Sequence, residues 1–498
     1  MSDNAGIREA PKTFTGILKE LGPGLIVTGS IVGSGELIAT TLTGAKAGFW
    51  LMWLIIIGCV IKVFAQLEIG KFTISTSRTS LQGLSMIPGP KAMGVHWFVW
   101  MWLITFVIAW GQFGGIVAAV GQAFSISAPI TEQGRIYNEA ADVLVSQKIA
   151  MVSEGTAVVA ESAPSSVLPD PGPDVAIWAF MIAILTSYLL YKGSYKLIEK
   201  IVVGLVASFT LLAIANFFML QLNATWAISW AEIGKGLSFN LPPGDSGKAS
   251  LYTALATFGI IGVGAGELIF YPYWCLEKGY AKYIGPKDDS EEWGIRAKGW
   301  MRVMRWDAWL SMVVYTFSTV VFYLLGATVL HRAGLVPEGN ELIRTLSSMF
   351  EPVFGQYAVG LFLVGSIFVL YSTFLVGMGS NALVFADVVE IFSRHRGGSL
   401  SRHKVRPWVG MALPLLSFSM LLLFPEPTTL ILLAGASLTL LLPVLAFSAV
   451  YFRYKFSDSR LHSGILWDIG LWISSVALFG VGMWLVLTVL VPRLAGLF

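Results

Sequence analysis

Charge is what this chain has least of: 13% of its 498 residues are Asp, Glu, Lys or Arg, roughly half the share of an ordinary soluble domain. A soluble fold of this length would lack a charged surface, so that class is excluded. Cysteine is nearly absent. Cys59 and Cys275 are the two, each in or beside an apolar run, which excludes a disulfide framework and a cysteine metal cluster. The five His fall between apolar runs or at their ends, and no His-Glu-x-x-His occurs, so nothing points to a zinc hydrolase or a His-activated nucleophile. A net charge of +3 is too small to argue for nucleic acid as a partner. Residues 1–20 are polar and lack the short apolar core of a cleaved signal peptide, so a mature N-terminus is expected.

Apolar sequence fills the rest. The chain is 55% hydrophobic, with a mean hydropathy of +0.72, 18 Trp, 31 Phe and 52 Gly. Aromatic belts and close-packing glycines are membrane features. Runs long enough to cross a bilayer start near Leu21, Phe49, Trp97, Val175, Ile201, Tyr252, Trp306, Gln356, Pro407, Thr428 and Ile465, giving about eleven spans. With the N-terminus inside, 24 of the 33 Lys and Arg fall on the inner side and eight outside, and Lys62 lies within a span. This bias predicts a multi-pass protein of the cell (plasma or inner) membrane, N-terminus cytoplasmic and C-terminus outside. The expected organisation is a tail (1–20), a first five-helix unit (21–222) with an outer loop at 123–174, and an outer loop at 223–249. A second five-helix unit (250–455) follows, with an inner loop at 278–305, and then an eleventh helix (465–492). The middle of the first outer loop, Glu132 to Val152, is expected to form a surface helix. The inner loop, with Trp293 and Trp300, is expected to lie along the membrane surface.

One motif occurs twice. Val32-Gly33-Ser34-Gly35-Glu36-Leu37-Ile38 reappears as Val263-Gly264-Ala265-Gly266-Glu267-Leu268-Ile269, agreeing at six of seven positions. The copies lie mid-way along spans 1 and 6, which enter from opposite sides, so the pattern is a 5+5 inverted repeat. Paired glycines weaken a helix by about 1 kcal/mol each relative to Ala. A discontinuous helix in each half of an inverted repeat marks a transporter's central site, and an acidic side chain at that depth is a functional candidate. The alternative is that each Glu caps the free amides of its own second half-helix.

On this motif and its surroundings the sequence resembles the Nramp family of divalent-metal transporters, which have the LeuT-type fold. Gly22-Pro23-Gly24-Leu25 is similar to the opening of the family's first helix, and Gly44-Ala45 with Gly48-Phe49 to the turn into its second. Lys71 followed by Ile74-Ser75-Thr76, Ser372-Thr373 with Gly377, and Leu442-Pro443 extend the resemblance from about Leu21 to Tyr454. It implies an all-α polytopic membrane protein of about eleven transmembrane helices, discontinuous at helices 1 and 6, with an extra C-terminal helix. The chain departs from the family at the site. Gly33-Ser34-Gly35-Glu36 replaces Asp-Pro-Gly-Asn, and Gly266-Glu267-Leu268 replaces Met-Pro-His. The family's Asp and Glu on helix 3, implicated in proton movement, align with Gly111 and Gly114.

The expected site joins Glu36 and Glu267, as metal ligands, to Gly33, Ser34, Gly35, Gly264, Ala265 and Gly266. Gln112, Tyr271 and Asn381 are further candidates for substrate contact, with helix–helix hydrogen bonding as their structural alternative. These are oxygen ligands, suited to hard cations such as magnesium, manganese or calcium. Lys62 is expected to snorkel toward the inner interface, or else to pair with Glu36 or Glu267 and lower the charge of the site. Glu68, Asp307 and Asp387 are expected at the interface. The function expected is transport of a small inorganic cation as substrate, without a cofactor, by a monomer in the lipid bilayer, and without the usual Nramp proton coupling. A LeuT-type carrier of a small organic solute is the alternative, and a membrane-embedded enzyme the third class.

Overall fold

The computed structural model describes residues 6–154, 168–192 and 195–491. Residues 1–5 of the tail, 155–167 of the first outer loop and the end of the eleventh helix at 492 lie outside the described residues. The architecture is all-α apart from a two-stranded hairpin, Lys91–Ala92 against Val95–His96. Nine helices among the described residues are long and apolar enough to cross a membrane. They are spans 1 (Pro23–Ala47), 2 (Met52–Thr76), 3 (Trp97–Ser127), 4 (Asp174–Lys192), 7 (Glu291–Leu330), 8 (Gly339–His395), 9 (Arg402–Leu423), 10 (Pro427–Lys455) and 11 (Ile465–Val489). Span 5 is the helix Tyr195–Leu220, and span 6 is two helices, Gly244–Phe258 and Ala265–Lys278. All eleven expected positions therefore hold helix. Span 1 is the most enclosed, 94% of its apolar window being buried, and it packs against spans 6, 7 and 8.

The two motif copies take different forms. In span 6 the helix ends at Phe258, and the chain runs non-helically to Gly264, turning at Gly262 with φ +53°. Span 1 is not severed. Its α-helical bonding stops at Ile31 and resumes at Thr41, and residues Val32–Thr40 form a π-helix, a widened geometry frequent at functional sites. Span 8 explains the difference. Thr373 accepts a hydrogen bond from the Gly33 amide (3.0 Å) and donates one to the Gly29 carbonyl (2.9 Å), serving groups that the widening frees.

The motif glycines admit these neighbours. A Cβ on Gly33 would lie 2.3 Å from Thr373 Oγ1, and one on Gly35 would lie 2.9 Å from the Ile260 carbonyl oxygen. Gly33→Ala is therefore expected to cost about 1–3 kcal/mol, as overpacking does. Gly360→Ala, at a helical glycine with nothing within 4 Å, is expected to gain up to about 1 kcal/mol. Melting curves of the two variants check the contrast.

The expected outer helix is present as Glu132–Ser153, N-capped by Thr131. Arg344, 3% exposed, ties it to the start of span 8 through Asn138 Oδ1 (2.7 Å) and Asp142 Oδ1 (3.1 Å). The inner loop corrects the expectation of a surface-lying segment. Residues from Glu291 onward are the N-terminal extension of the span 7 helix, and Trp293 and Trp300 are fully buried. Arg460 lies over the Trp293 ring, 4.7 Å from its centroid, and the N-terminal segment covers Trp300. Trp300 Nε1 donates to the Arg8 carbonyl at 3.0 Å, and the Arg8 guanidinium sits 3.9 Å from the Tyr283 ring centroid.

Candidate functional site

A cavity of about 50 Å³ opens beside the two motif copies. Ser30 and Ser34, one helical turn apart and so on one face of span 1, form one wall. Thr105 and Gln112 of span 3, Gly266 and Glu267 of span 6, and Thr373 and Asn381 of span 8 complete the polar lining. Trp102, Phe106, Phe113 and Phe270 place four aromatic rings in the apolar lining, beside aliphatic side chains such as Ile260 and Leu441. Gln112 Nε2 donates to Ser34 Oγ at 3.0 Å, and Ser30 Oγ donates to Glu267 Oε1 at 3.1 Å. Asn381 Nδ2 is held by the Gly377 carbonyl, one turn back, at 2.8 Å.

Glu267 lies in the first turn of the second half of span 6. There the free amides and the positive end of the helix dipole favour a carboxylate. The capping alternative is thus compatible with its position, yet the side chain also reaches the cavity. Between Thr253 and Cys275 it is the one residue with more than marginal exposure.

Glu36 occupies a different place. It does not line the cavity. Its Oε1 accepts from Thr319 Oγ1 of span 7 (2.6 Å) and from the Gly262 amide in the break of span 6 (3.3 Å). Its Oε2 is buried, without a hydrogen-bond partner among the described residues. Nor do those residues contain a cluster of three or more His, Cys, Asp or Glu able to hold a metal ion. The two glutamates therefore flank the break from different sides in this conformation.

Lys62 corrects the snorkelling expectation. It is 0% exposed, and its ammonium donates to the carbonyls of Phe258 and of Ile261 (2.8 Å), with the Phe258 ring centroid 4.5 Å away. Unwinding span 6 strips these carbonyls of their helical donors, and a buried carbonyl left unpaired costs about 1–3 kcal/mol. The ammonium therefore fills the freed carbonyls of the break, while Glu36 holds the Gly262 amide, the opposite side of the very peptide whose carbonyl, that of Ile261, Lys62 takes. Both glutamates lie within coulombic range of Lys62, although no carboxylate forms an ion pair with it among the described residues.

Of the remaining candidates, Ser34, Gln112, Gly266 and Asn381 meet at the cavity with Glu267, whereas Gly33, Gly35, Gly264, Ala265 and Tyr271 do not line it. Gly33 and Gly35 serve packing, and Gly264 N-caps the second half-helix that Ala265 begins. The Tyr271 hydroxyl points away, donating to Asp307 Oδ2 at 3.1 Å. Asp307 also accepts from the amides of Gly22 (3.0 Å) and Gly24 (2.7 Å), so it pins the N-terminal end of span 1. Asp387 accepts from Tyr273 (2.7 Å), Gln82 and Thr79. Glu68 takes Lys71 and Trp467 Nε1, each at 2.6 Å. All three carboxylates are buried within the protein (Glu68 1%, Asp307 1%, Asp387 0% exposed), because donors from their own and neighbouring helices converge on them. Sequence reasoning missed Ser30, one turn before Ser34 on the same face, and Thr373, which it used only to recognise the eighth helix.

A mutant of the Eremococcus coleocola manganese transporter superposes with a TM-score of 0.58 at 13% identity, covering 96% of this chain and 88% of its own. The same transporter bound to an aromatic bis-isothiourea compound matches equally, over 97% and 89%. Mhp1, a nucleobase-cation-symport-1 family transporter in a closed conformation with bromovinylhydantoin bound, matches with a TM-score of 0.51 at 13% identity, over 96% and 95%. These likenesses show the LeuT-type fold. No individually curated sequence is significantly similar to the chain. The profile of the natural resistance-associated macrophage protein-like family matches residues 143–488, including the second motif copy and well over half the sequence. This multi-pass membrane protein therefore belongs to the Nramp family.

Proposed function

We propose that this chain transports a small cation, in first place a hard divalent metal ion such as magnesium, manganese or calcium, by alternating access through the Glu267 cavity. The observation that carries this reading is the partial accessibility of Glu267 in an otherwise buried stretch, at a cavity whose other polar groups are hydroxyls and amides. Such oxygen donors favour hard cations, and the wall has no thioether, thiol or imidazole to select a softer one. The size also fits. About 50 Å³ suits an ion with few waters, against the roughly 300–1,000 Å³ of pockets for drug-sized molecules. Metal transport is carried out by the Eremococcus relative of this fold, which adds support. The four aromatic rings at the cavity favour one second reading, a small organic solute with an apolar body, admitted by a wider state.

Helix 3 argues against the family's usual proton route. A Cβ on Gly111 would lie 2.9 Å from Leu430 Cδ2, and one on Gly114 the same distance from Met420 Cβ, so the packing leaves no room for acidic side chains there. Uptake into proteoliposomes across a panel of magnesium, calcium, manganese and small organic acids tests the assignment. Divalent uptake down its gradient, without acidification of the lumen, is expected. Uptake of an organic acid alone would select the second reading, and substrate-dependent proton flux would overturn the uncoupled mechanism. The orientation proposed, N-terminus cytoplasmic and C-terminus outside, rests on the distribution of basic residues.

A further inference from the structure

On the side that carries the Lys and Arg excess, a second cavity of about 220 Å³ lies between the C-terminal end of span 2, the N-terminal extension of span 7 and the connection from span 10 to span 11. Its polar wall is cationic. Lys71, Lys298, Arg305 and Arg460 line it together with His462. Two of these charges are compensated. Lys71 pairs with Glu68 at 2.6 Å, and Arg460 with Asp458 at 3.0 Å. Hydrogen bonds from Arg460 and then Lys287 hold the Asp458 carboxyl well below the ordinary carboxylate range, so that acid is already committed.

Lys298 and Arg305 are different. They lie two helical turns apart on one face of the span 7 helix, are exposed, and have no ion-pair partner among the described residues. Arg305 and Arg453 are both within coulombic range of the Lys71 ammonium, so like charges crowd this corner without enough carboxylates between them. Behind the wall, Arg453 pairs with Asp468 at 2.7 Å and donates to the carbonyl of Ser463, a lining residue, at 2.6 Å, while its Nη1 is buried and unpartnered among the described residues. The cavity thus gathers cationic donors in excess of their acceptors, around a space large enough for a phosphate group.

The mouth of the cavity distinguishes a lipid from a free anion. Span 11 begins beside it with Ile465 74% and Leu466 82% exposed, and Trp306 of span 7 is 45% exposed. Exposed apolar residues at the end of a span suit acyl chains, and an interfacial Trp suits the headgroup level. Basic pockets between helices on the cytoplasmic side recognise anionic headgroups. We propose that this cavity binds the phosphate of an anionic phospholipid, with Lys298 and Arg305 supplying the uncompensated charge and the acyl chains lying along the start of span 11.

The full chain in neutral detergent, titrated with a short-chain phosphatidylglycerol, phosphatidylcholine or inorganic phosphate, tests this site independently of any transport activity. Phosphatidylglycerol is expected to bind saturably and to raise the melting temperature, with phosphatidylcholine and inorganic phosphate much weaker. Lys298→Ala combined with Arg305→Ala, both at exposed positions, is expected to weaken that binding about thirtyfold, or about 2 kcal/mol at 1.4 kcal/mol per decade. The double variant should melt like the wild type without lipid. Equal binding of phosphatidylcholine, or unchanged phosphatidylglycerol affinity in the double variant, would overturn the proposal. Full binding of inorganic phosphate at the same concentrations would assign the pocket to a free anion and overturn the lipid.

Discussion

Glu267→Gln is expected to lower divalent-cation affinity by more than a hundredfold while the protein stays folded. Glu267 is the carboxylate that reaches the cavity, and the other polar side chains on that wall are neutral. Removing the charged partner of a poorly solvated ion costs roughly 3–5 kcal/mol, and the partial opening of Glu267 to the cavity argues for the lower end of that range. Even about 3 kcal/mol exceeds a hundredfold at 1.4 kcal/mol per decade. Gln retains the size and one acceptor for Ser30 Oγ, so the loss in stability should stay within about 1 kcal/mol, the scale of a lost helix cap. Initial uptake rates together with melting curves separate the outcomes. A variant that transports normally but melts earlier would reduce Glu267 to a cap.

Lys62→Met is expected to produce the largest loss of stability, about 3–5 kcal/mol, the cost of breaking a buried charged network. The substitution strips the Phe258 and Ile261 carbonyls of their donor and removes the cation nearest the two glutamates. The cause can be isolated. In the double variant Lys62→Met with Glu36→Gln, the buried negative charge goes too, so part of the loss should be recovered. Coupling of about 0.5–3 kcal/mol is expected for residues in one network. Strict additivity in unfolding measurements would show that Lys62 and Glu36 act independently. Lys62→Gln, which keeps a donor for one carbonyl and makes the break more negative, is expected to raise divalent affinity, the opposite sign to Glu267→Gln.

The repeated Gly-x-Gly-Glu pattern located both helix interruptions, because paired glycines leave a mark in the chain itself. It did not reveal that one copy becomes a π-helix and the other an open break. That outcome depends on neighbours distant in sequence: Thr373 supplies a donor and an acceptor to span 1, and Lys62 supplies an ammonium to span 6. The same limit explains Lys62, whose depth along span 2 was readable although the partner it meets was not. Glu36 and Glu267 look equivalent by repeat symmetry, yet Thr319 and the Gly262 amide turn Glu36 away from the cavity. Trp293 and Trp300 resembled a membrane-surface segment because residues that cover them are distant in sequence: Arg8 at the N-terminal end for Trp300 and Arg460 for Trp293.

The most direct test of the account is calorimetric titration of magnesium, calcium and manganese into the wild type and into Glu267→Gln, both verified as folded by their melting curves. The account predicts one saturable divalent site in the wild type and its loss in the variant. Equal divalent affinity in the two proteins would contradict it.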